Sequence, residues 1–494
     1  MEAAIEGLLG VLTPYSLAMM TLGVLIGSLV GFLPGVGGPT TLAIMLPFVM
    51  TMKNPLAVIA LLVGIDAVGN TASAFPSILI SVPGSAGSQA TILDGYPLSK
   101  QGQAARALSA SLMASLLGGL IGPVVLVASL PILRPLVLAF GSPEFFVLTL
   151  WGLTMVAVLS GNTPVKGLTA GILGVFIAMI GTDPKSGIER FAFDEPYLWE
   201  GVSLIIVALG LFGVPEIMAL ASQKTSIAET HELGHGFMQG IRDTFRCWWL
   251  VVRSSAIGTW VGFLPGLGSS VADWFAYAHA VQTEKNRENF GKGDIRGVIA
   301  PEASNNAKEA GSYIPTLAFG IPGGTSTALI LTAFVAVGIK PGPDMLTEQL
   351  DLTFAVVWTL ALANVIAVAL CMVLVKPLAK ACFLPFYTIV PMIAAFVFIG
   401  AFAANFSSYD LIALFVSSLL GYMMRRHEWP RPPLLLGVVL GNKMERYLWL
   451  SYARFGLEWL WRPGVIVLFA LVVASLFFPA LKERRERRFT AAEL

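Results

Sequence analysis

"GFLPGVGGPTT", Gly31 to Thr41, sets two prolines and four glycines into an otherwise apolar N-terminal segment, and "GFLPGLGSS", Gly262 to Ser270, repeats the pattern at an offset of 231. Proline has no N–H to donate and glycine tolerates positive φ, so each copy interrupts a helix. The surroundings decide what such a break means. In hydrocarbon, each unpaired backbone group costs several kcal/mol, so irregular backbone survives only inside protein or beside a polar cavity. Two copies of one break in membrane-grade sequence therefore point to a polytopic protein with an internal cavity.

Composition agrees. The 494 residues are 56% hydrophobic and 12% charged, with a mean hydropathy of +0.77, whereas soluble domains carry about twice that charged fraction. Apolar runs such as "IIVALGLFGV", "AVVWTLALANVIAVALCMVLV" and "GVIVLFALVVASLFF" recur, and spans of ~20 residues fill most of the length. A formal net charge of +1 gives no reason to expect nucleic acid as a partner. Cys247, Cys371 and Cys382 have no CxxC spacing and read as buried free thiols. No Lys or Arg precedes Lys53, so the N-terminus lacks the basic region of a signal peptide and is expected to remain uncleaved.

The repeat extends beyond the opening motif. "FPSILISVPGSAG" (75–87) aligns with "IPTLAFGIPGGTS" (314–326) at an offset of 239, pairing Pro76 with Pro315 and Pro83-Gly84 with Pro322-Gly323. Two motifs in one order at nearly one offset imply a duplication, the construction common among carriers. The expected division is 1–220 as the first repeat, 221–246 as a cytoplasmic connector, 247–460 as the second repeat, and 461–494 as an extra helix with a basic tail.

Basic residues orient the halves, because cytoplasmic loops carry the excess of Lys and Arg. The second copy of the break is flanked by Lys224, Arg242, Arg246 and Arg253 before it and Lys285, Arg287, Lys292 and Arg296 after it. The first copy is preceded by Glu2 and Glu6 and followed by Lys53. The second hairpin then enters from the cytoplasm, the first from outside, and the two face each other. Continuing along the chain puts Lys100 and Arg106 inside and the acidic stretch 181–200 outside. Lys376, Lys380, Arg425, Arg426 and the tail "KERRERR" come out inside. The expected fold is an all-α polytopic membrane protein of two inverted-topology repeats, with about 11 crossings and two re-entrant hairpins. Residues 442–462, with four basic groups, fit this scheme poorly because it puts them outside. A rival count makes Leu8–Val30 a full span.

The breaks suggest what the cavity holds. After each one the chain offers a helix start with capping Ser, Thr or Gly: Thr40-Thr41, Ser85 to Ser88, Ser269-Ser270 and Thr325-Ser326. A helix N-terminus exposes N–H groups and about half a positive charge, which suits a carboxylate, while unwound carbonyls suit a small cation. The candidate substrate-binding residues are Gly35, Gly37, Thr40, Thr41, Gly84, Ser85, Ser88, Gly266, Gly268, Ser269, Ser270, Gly323, Gly324, Thr325 and Ser326. Candidate coupling-ion residues are Asp66, Asn70, Glu302, Asn305 and Asn306, polar groups just before the second break of each half. Glu302, Asn305, Asn306 and Glu309 have spacings that share one helix face. The alternatives are that the Pro-Gly pairs are packing kinks between close helices, and that Lys308 and Glu309 belong to a solvated helix start. Asp273 and His279 could face the cavity as well, although a lone His on an apolar helix is more often simply hydrogen-bonded.

"HELGH", His231 to His235, satisfies the H-E-x-x-H zinc-protease pattern. It lies in the polar connector beside two glycines, and the remaining histidines, His279 and His427, give no third-ligand spacing. An intramembrane metalloprotease is the weaker second functional class; no catalytic residues, metal or organic cofactor are expected.

With these residues laid out, the chain resembles the large membrane subunit (TctA type) of bacterial tripartite tricarboxylate transporters. The resemblance rests on "APEASNNAKEAGSYIPTLAFGIPGGTSTALILTAFVAVGIKPGPDML", "ILDGYPLSKQGQAARAL" and "GSPEFFVLTLWGL", and runs from about Met20 to Arg462. It implies a multi-pass secondary transporter of the bacterial inner membrane, not an enzyme, driven by Na+ or H+. It also implies an organic carboxylate substrate, a small membrane subunit (TctB type) and a periplasmic solute-binding protein (TctC type). A carrier without partners or an anion channel are the alternatives. Two stretches depart from the family's usual pattern: "VGNTASAFPS" stands where members read like Tyr-Gly-Gly-Ser, and Lys308-Glu309 replaces what are usually small residues.

Overall fold

The computed structural model describes all residues except 1, 33–36, 160–163, 184, 223–233, 267, 382–389 and 491–494. Among the described residues the regular structure is helical, apart from a two-residue β-ladder pairing Gly181–Thr182 with Glu189–Arg190. In the first half the helices are α1 Glu2–Val11, α2 Pro14–Gly31, α3 Gly38–Met50, α4 Pro55–Ile80, α5 Thr91–Lys100, α6 Ala104–Leu138, α7 Ser142–Leu159, α8 Pro164–Ala178, α9 Leu204–Ala208 and α10 Val214–Ser222. A π turn, Leu209–Gly213, joins the last two. Helix α11, Phe237–Arg246, leads into the second half: α12 Trp248–Phe263, α13 Gly268–Thr283, α14 Arg296–Phe319, α15 Thr325–Ala336, α16 Leu350–Val373, α17 Val375–Ala381, α18 Val390–Asn405, α19 Ser408–Arg426, α20 Arg431–Phe455 and α21 Pro463–Thr490.

Among the described residues, α2, α4, α6 and α16 are each long and apolar enough to cross a membrane. Shorter apolar helices, including α3, α7, α8 and α15, fill the rest. The chain is an all-α polytopic membrane protein. Because α2 itself meets the length requirement, helix length alone does not separate a hairpin leg from the rival full span.

Both opening motifs end a helix and start another. Helix α2 stops at Gly31 and α3 begins at Gly38; α12 stops at Phe263 and α13 begins at Gly268. Each first leg lies against the broken helix of its own half, α2 on α4 and α12 on α14. Missing side chains make these approaches possible. A Cβ on Gly27 would sit 2.7 Å from the Ile65 carbonyl, and one on its repeat equivalent, Gly258, 2.1 Å from that of Ser304. Gly262 approaches the Lys308 carbonyl in the same way, at 2.2 Å.

The second break also recurs in detail. Helix α4 ends on Ser81 with φ 58°, and α14 on the equivalent Gly320 with φ 67°, both left-handed. Past the Pro-Gly pair, the Ser85 N–H donates to Ser88 Oγ at 3.2 Å and the Gly324 N–H to Thr327 Oγ1 at 2.9 Å. Ser88 and Thr327 are equivalent at offset 239. The continuation differs. After Gly324 a 12-residue helix, α15, follows directly, whereas Ser85 caps only the 3-10 turn Ala86–Ser88, and α-helix resumes at Thr91. The expected helix start at Ser85 to Ser88 is therefore a single turn.

Between halves, α6 packs along α14 and α16 along α4, while α13 lies on the 3-10 turn and α15 on α3. Peripherally, α20 packs on α8, and α19 on the π turn and α9. Asp94 locks one seam. Its Oδ1 accepts from the Gly293 and Asp294 N–H groups, both at 2.8 Å, and its Oδ2 from the Tyr277 hydroxyl at 2.9 Å.

Candidate functional site

The four breaks converge. A cavity of 610 Å³ is lined by Gly37 to Thr40, by Pro83 to Ala86, by Gly266, Gly268 and Val271, and by Gly324 to Thr327. The first half's hairpin touches the second half's break, since a Cβ on Gly38 would lie 3.8 Å from Ser326 Oγ. The reverse contact joins Asp273 Oδ2 to the Ala90 N–H at 2.7 Å. The second tip is tied to its own half's break by the Gly266 N–H donating to the Gly323 carbonyl at 3.3 Å. Gly266 has φ 92°, which a glycine accepts without strain.

Polar side chains form two linked groups on the cavity wall. In the first, Asp66, 3% exposed, accepts from the Tyr313 hydroxyl at 3.1 Å. In the second, Asn70 Nδ2 donates to Glu309 Oε1, and Glu309 pairs with Lys308 at 2.8 Å. Ser85 Oγ completes it, donating to Ser73 Oγ at 3.0 Å. Asn70 and Glu309 are separated by the repeat offset of 239, so equivalent positions of the two halves meet. Lys308 and Glu309 are buried, 5% and 3% exposed, inside a helix that starts twelve residues earlier at Arg296. The solvated helix start does not describe them.

The expected residues divide by placement. Gly37, Thr40, Asp66, Asn70, Gly84, Ser85, Gly266, Gly268, Gly324, Thr325 and Ser326 line the cavity. Thr41, Ser88 and Gly323 stand behind its wall: Thr41 Oγ1 bonds the Gly37 carbonyl at 3.5 Å, Ser88 caps its turn, and the Gly323 N–H donates to Thr316 Oγ1 at 3.3 Å. Glu302 points away, accepting from Thr91 at 2.6 Å and Ser115 at 3.1 Å. Asn306 Nδ2 bridges Thr71 at 2.7 Å and Asn364 at 2.8 Å. The shared face of α14 thus splits among several neighbours. Asn305 is fully buried, and neither side-chain polar atom has a partner among the described residues. Asn306 Oδ1, Glu309 Oε2 and Asp273 Oδ1 are likewise buried without one. His279, expected to be hydrogen-bonded, has its Nε2 in the same condition. Gly35 and the Ser269 and Ser270 side chains lie outside the described residues.

Sequence reasoning missed one wall. Phe212 of the π turn, Glu216 of α10 and Arg431 of α20 also line the cavity. Glu216 pairs with Arg425 and lies 3.7 Å from Arg431, whose guanidinium sits 5.1 Å over the Phe212 ring. Phe212 and Glu216 belong to one apolar run and its edge, Arg431 to a region 215 residues further on, and only the fold brings them together; an acid two residues after "IIVALGLFGV" was the available signal. The zinc motif falls mainly on 223–233, outside the described residues. Elsewhere, no group of three His, Cys, Asp or Glu side chains is placed to hold a metal among the described residues.

The comparisons agree with the architecture. The profile of the tripartite tricarboxylate transporter TctA family matches residues 17–436. The chain is 33% identical over 441 residues, 88% of this chain and 87% of the relative, to an uncharacterized 52.8 kDa protein in the TAR-I ttuC' 3' region of Agrobacterium vitis. It is 38% identical over 191 residues, 39% of this chain and 79% of the relative, to an uncharacterized protein in the TAR-II ttuC' 3' region of the same organism. No solved structure matches.

Proposed function

The chain belongs to the tripartite tricarboxylate transporter TctA family, and from that premise we propose that it is the carrier subunit through which a cation gradient, Na+ or H+, drives import of an organic di- or tricarboxylate. A periplasmic TctC-type binding protein delivers the substrate, and a small TctB-type membrane subunit accompanies the carrier in the bacterial inner membrane. The observation that carries this reading is the meeting of four helix breaks, from both halves, around one 610 Å³ cavity. Helices α3, α13 and α15 begin at that cavity, so their unpaired N–H groups face the space a carboxylate would fill. Thr40, Ser85, Thr325 and Ser326 add hydroxyl donors.

The cation belongs beside α14, around Asn305 and Asp66. Buried polar atoms without partners mark places where an ion or water completes the coordination, and α14 carries several. Their amide and carboxylate oxygens are hard donors, suited to Na+. A proton held on Asp66 is the other coupling chemistry.

The ion pairs support the inverted orientation. Arg106 with Asp243 (2.7 Å) and Arg425 with Glu216 join groups that the scheme puts on the cytoplasmic side. Arg190 with Glu445 (2.7 Å) and Arg462 with Glu144 (2.7 Å) join groups on the outer side. Of the four basic groups in 442–462, Arg462 is thereby neutralised by Glu144, while the segment's own Glu445 is taken up by Arg190.

The test is uptake of labelled citrate and a panel of dicarboxylates into proteoliposomes carrying both membrane subunits. Uptake is expected to require the binding protein and an inward Na+ or H+ gradient, and to saturate. Uptake that needs neither would sink the coupled tripartite mechanism, and non-saturable flux would indicate a channel.

A further inference from the structure

A second cavity, of 480 Å³, lies between the 179–203 loop, the start of α9, α15 and α20. Arg190, Trp199, Glu200, Thr332, Asn442 and Lys443 are among its lining residues. The loop is fastened down on α20: Arg190 holds Glu445 through two bonds, of 2.7 and 2.9 Å, and the Lys185 ammonium lies 3.6 Å over the Trp449 ring. Glu445 thus offsets Arg190, whose Nε is buried without a partner among the described residues. Glu200 is exposed at the margin.

Lys443 differs from the other basic groups around it. Its ammonium makes no ion pair or hydrogen bond among the described residues, and a Cβ on Gly320 would stand 3.1 Å from Nζ. The charge is therefore held at the back of the second break, where α14 ends. A half-buried cation without a counter-charge is costly, and in membrane segments such groups mark ion or substrate pathways.

The two cavities share walls. Helix α20 presents Arg431 to the first and Lys443 to the second, twelve residues or about 18 Å apart along the axis. Helix α15 lines the first with Thr325 to Thr327 and the second with Thr332 and Val335. One helix pair, with a cation at the start of α20 and another at its middle, connects both spaces.

We propose that the second cavity is an outward-facing entry site for the carboxylate, with Lys443 as its counter-charge, before the anion reaches the central cavity. This rests on the carrier reading and topology given above. The alternative role for Lys443 is to offset the C-terminal carbonyls of α14, a contribution to folding that has no sidedness.

Reconstituted carriers with Lys443→Gln and Lys443→Arg separate the two, using citrate or whichever dicarboxylate of the panel the wild type transports. Losing one charge-assisted contact is expected to raise the external KM of Lys443→Gln by about tenfold or more. Vmax and the KM for efflux from the cytoplasmic face stay within twofold, and Lys443→Arg restores uptake. Equal losses at both faces, or an unchanged external KM, overturn the entry site. If Lys443→Gln does not fold, Asn442→Trp fills the cavity from an exposed position; unaltered uptake by that variant overturns the proposal. A wild type that takes up no carboxylate overturns the carrier reading and this site with it, whereas normal wild-type uptake with an indifferent Lys443 overturns this site alone.

Discussion

Helices α4 and α14 are the same object built twice, and they carry different loads. Both end on a left-handed residue, Ser81 or Gly320, and both fold the chain back so tightly that Gly84 closes on Ser73 and Gly323 on the equivalent Ser312. Before the break, α4 brings Asp66 and Asn70, whereas α14 brings Glu302, Asn305, Asn306, Lys308 and Glu309. The backbone opening is common to both halves and the polar chemistry is not. The contact between Asn70 and Glu309 gives a reason. Residues at equivalent positions meet there, so an acid in both copies would set two carboxylates against each other in a buried site. An amide opposite an acid supplies a donor instead. The stretch around Asn70 and the Lys308-Glu309 pair are thus in direct contact.

The largest effect expected on this pair of breaks comes from the tip. Gly266→Pro cannot reach φ 92° and loses the N–H that bonds Gly323, so gradient-driven uptake should vanish; near-normal uptake would detach the tip from the mechanism. Next, Lys308→Met strips Glu309 of its buried counter-charge. A cost of about 3–5 kcal/mol is expected, read as a lower melting temperature in detergent. A Lys308→Met, Glu309→Met double variant should recover most of that stability without recovering uptake.

The helix seams give a graded comparison. Gly262→Ala and Gly27→Ala both drive a methyl into a carbonyl, at 2.2 and 2.7 Å, and overpacking of this kind costs about 1–3 kcal/mol. The second-half variant should be the less stable; the reverse order would mean that the two seams relax differently. Asn70→Glu tests the contact between equivalent positions and should impair uptake more than Asn70→Ala, which only removes a donor. The smallest effect separates the two helix ends. Ser81→Gly relieves a left-handed residue and should stabilise by roughly 0.5–1 kcal/mol, while Gly320→Ala, facing the Pro341 carbonyl at 2.8 Å, should destabilise.

Much of this was legible because broken helices in apolar sequence leave few physical options. The tips, the second breaks and the offsets could be read from Gly31, Gly262, Pro83 and Pro322, since Pro and Gly act on their own backbone. Eleven of the expected residues line one cavity for the same reason. Side-chain direction was less accessible. Glu302 and Glu309 share a face of α14 by spacing, yet one turns to Thr91 and Ser115 and the other to Asn70. Glu216 and Arg431 lie more than two hundred residues apart and meet only because α20 passes the π turn. Ser85 to Ser88 reads as a helix start and stops after one turn, and the helix that resumes at Thr91 carries Thr91 and Asp94 to partners in the second half.

By itself the sequence determined the solvent, the duplication and the four places where the backbone must open, because hydropathy, proline and glycine work through local physics. Only the tertiary structure decided which buried charges face each other and which face a cavity. A side chain on a helix inside a bundle has neighbours on every side, and which of them it meets depends on how the helices cross.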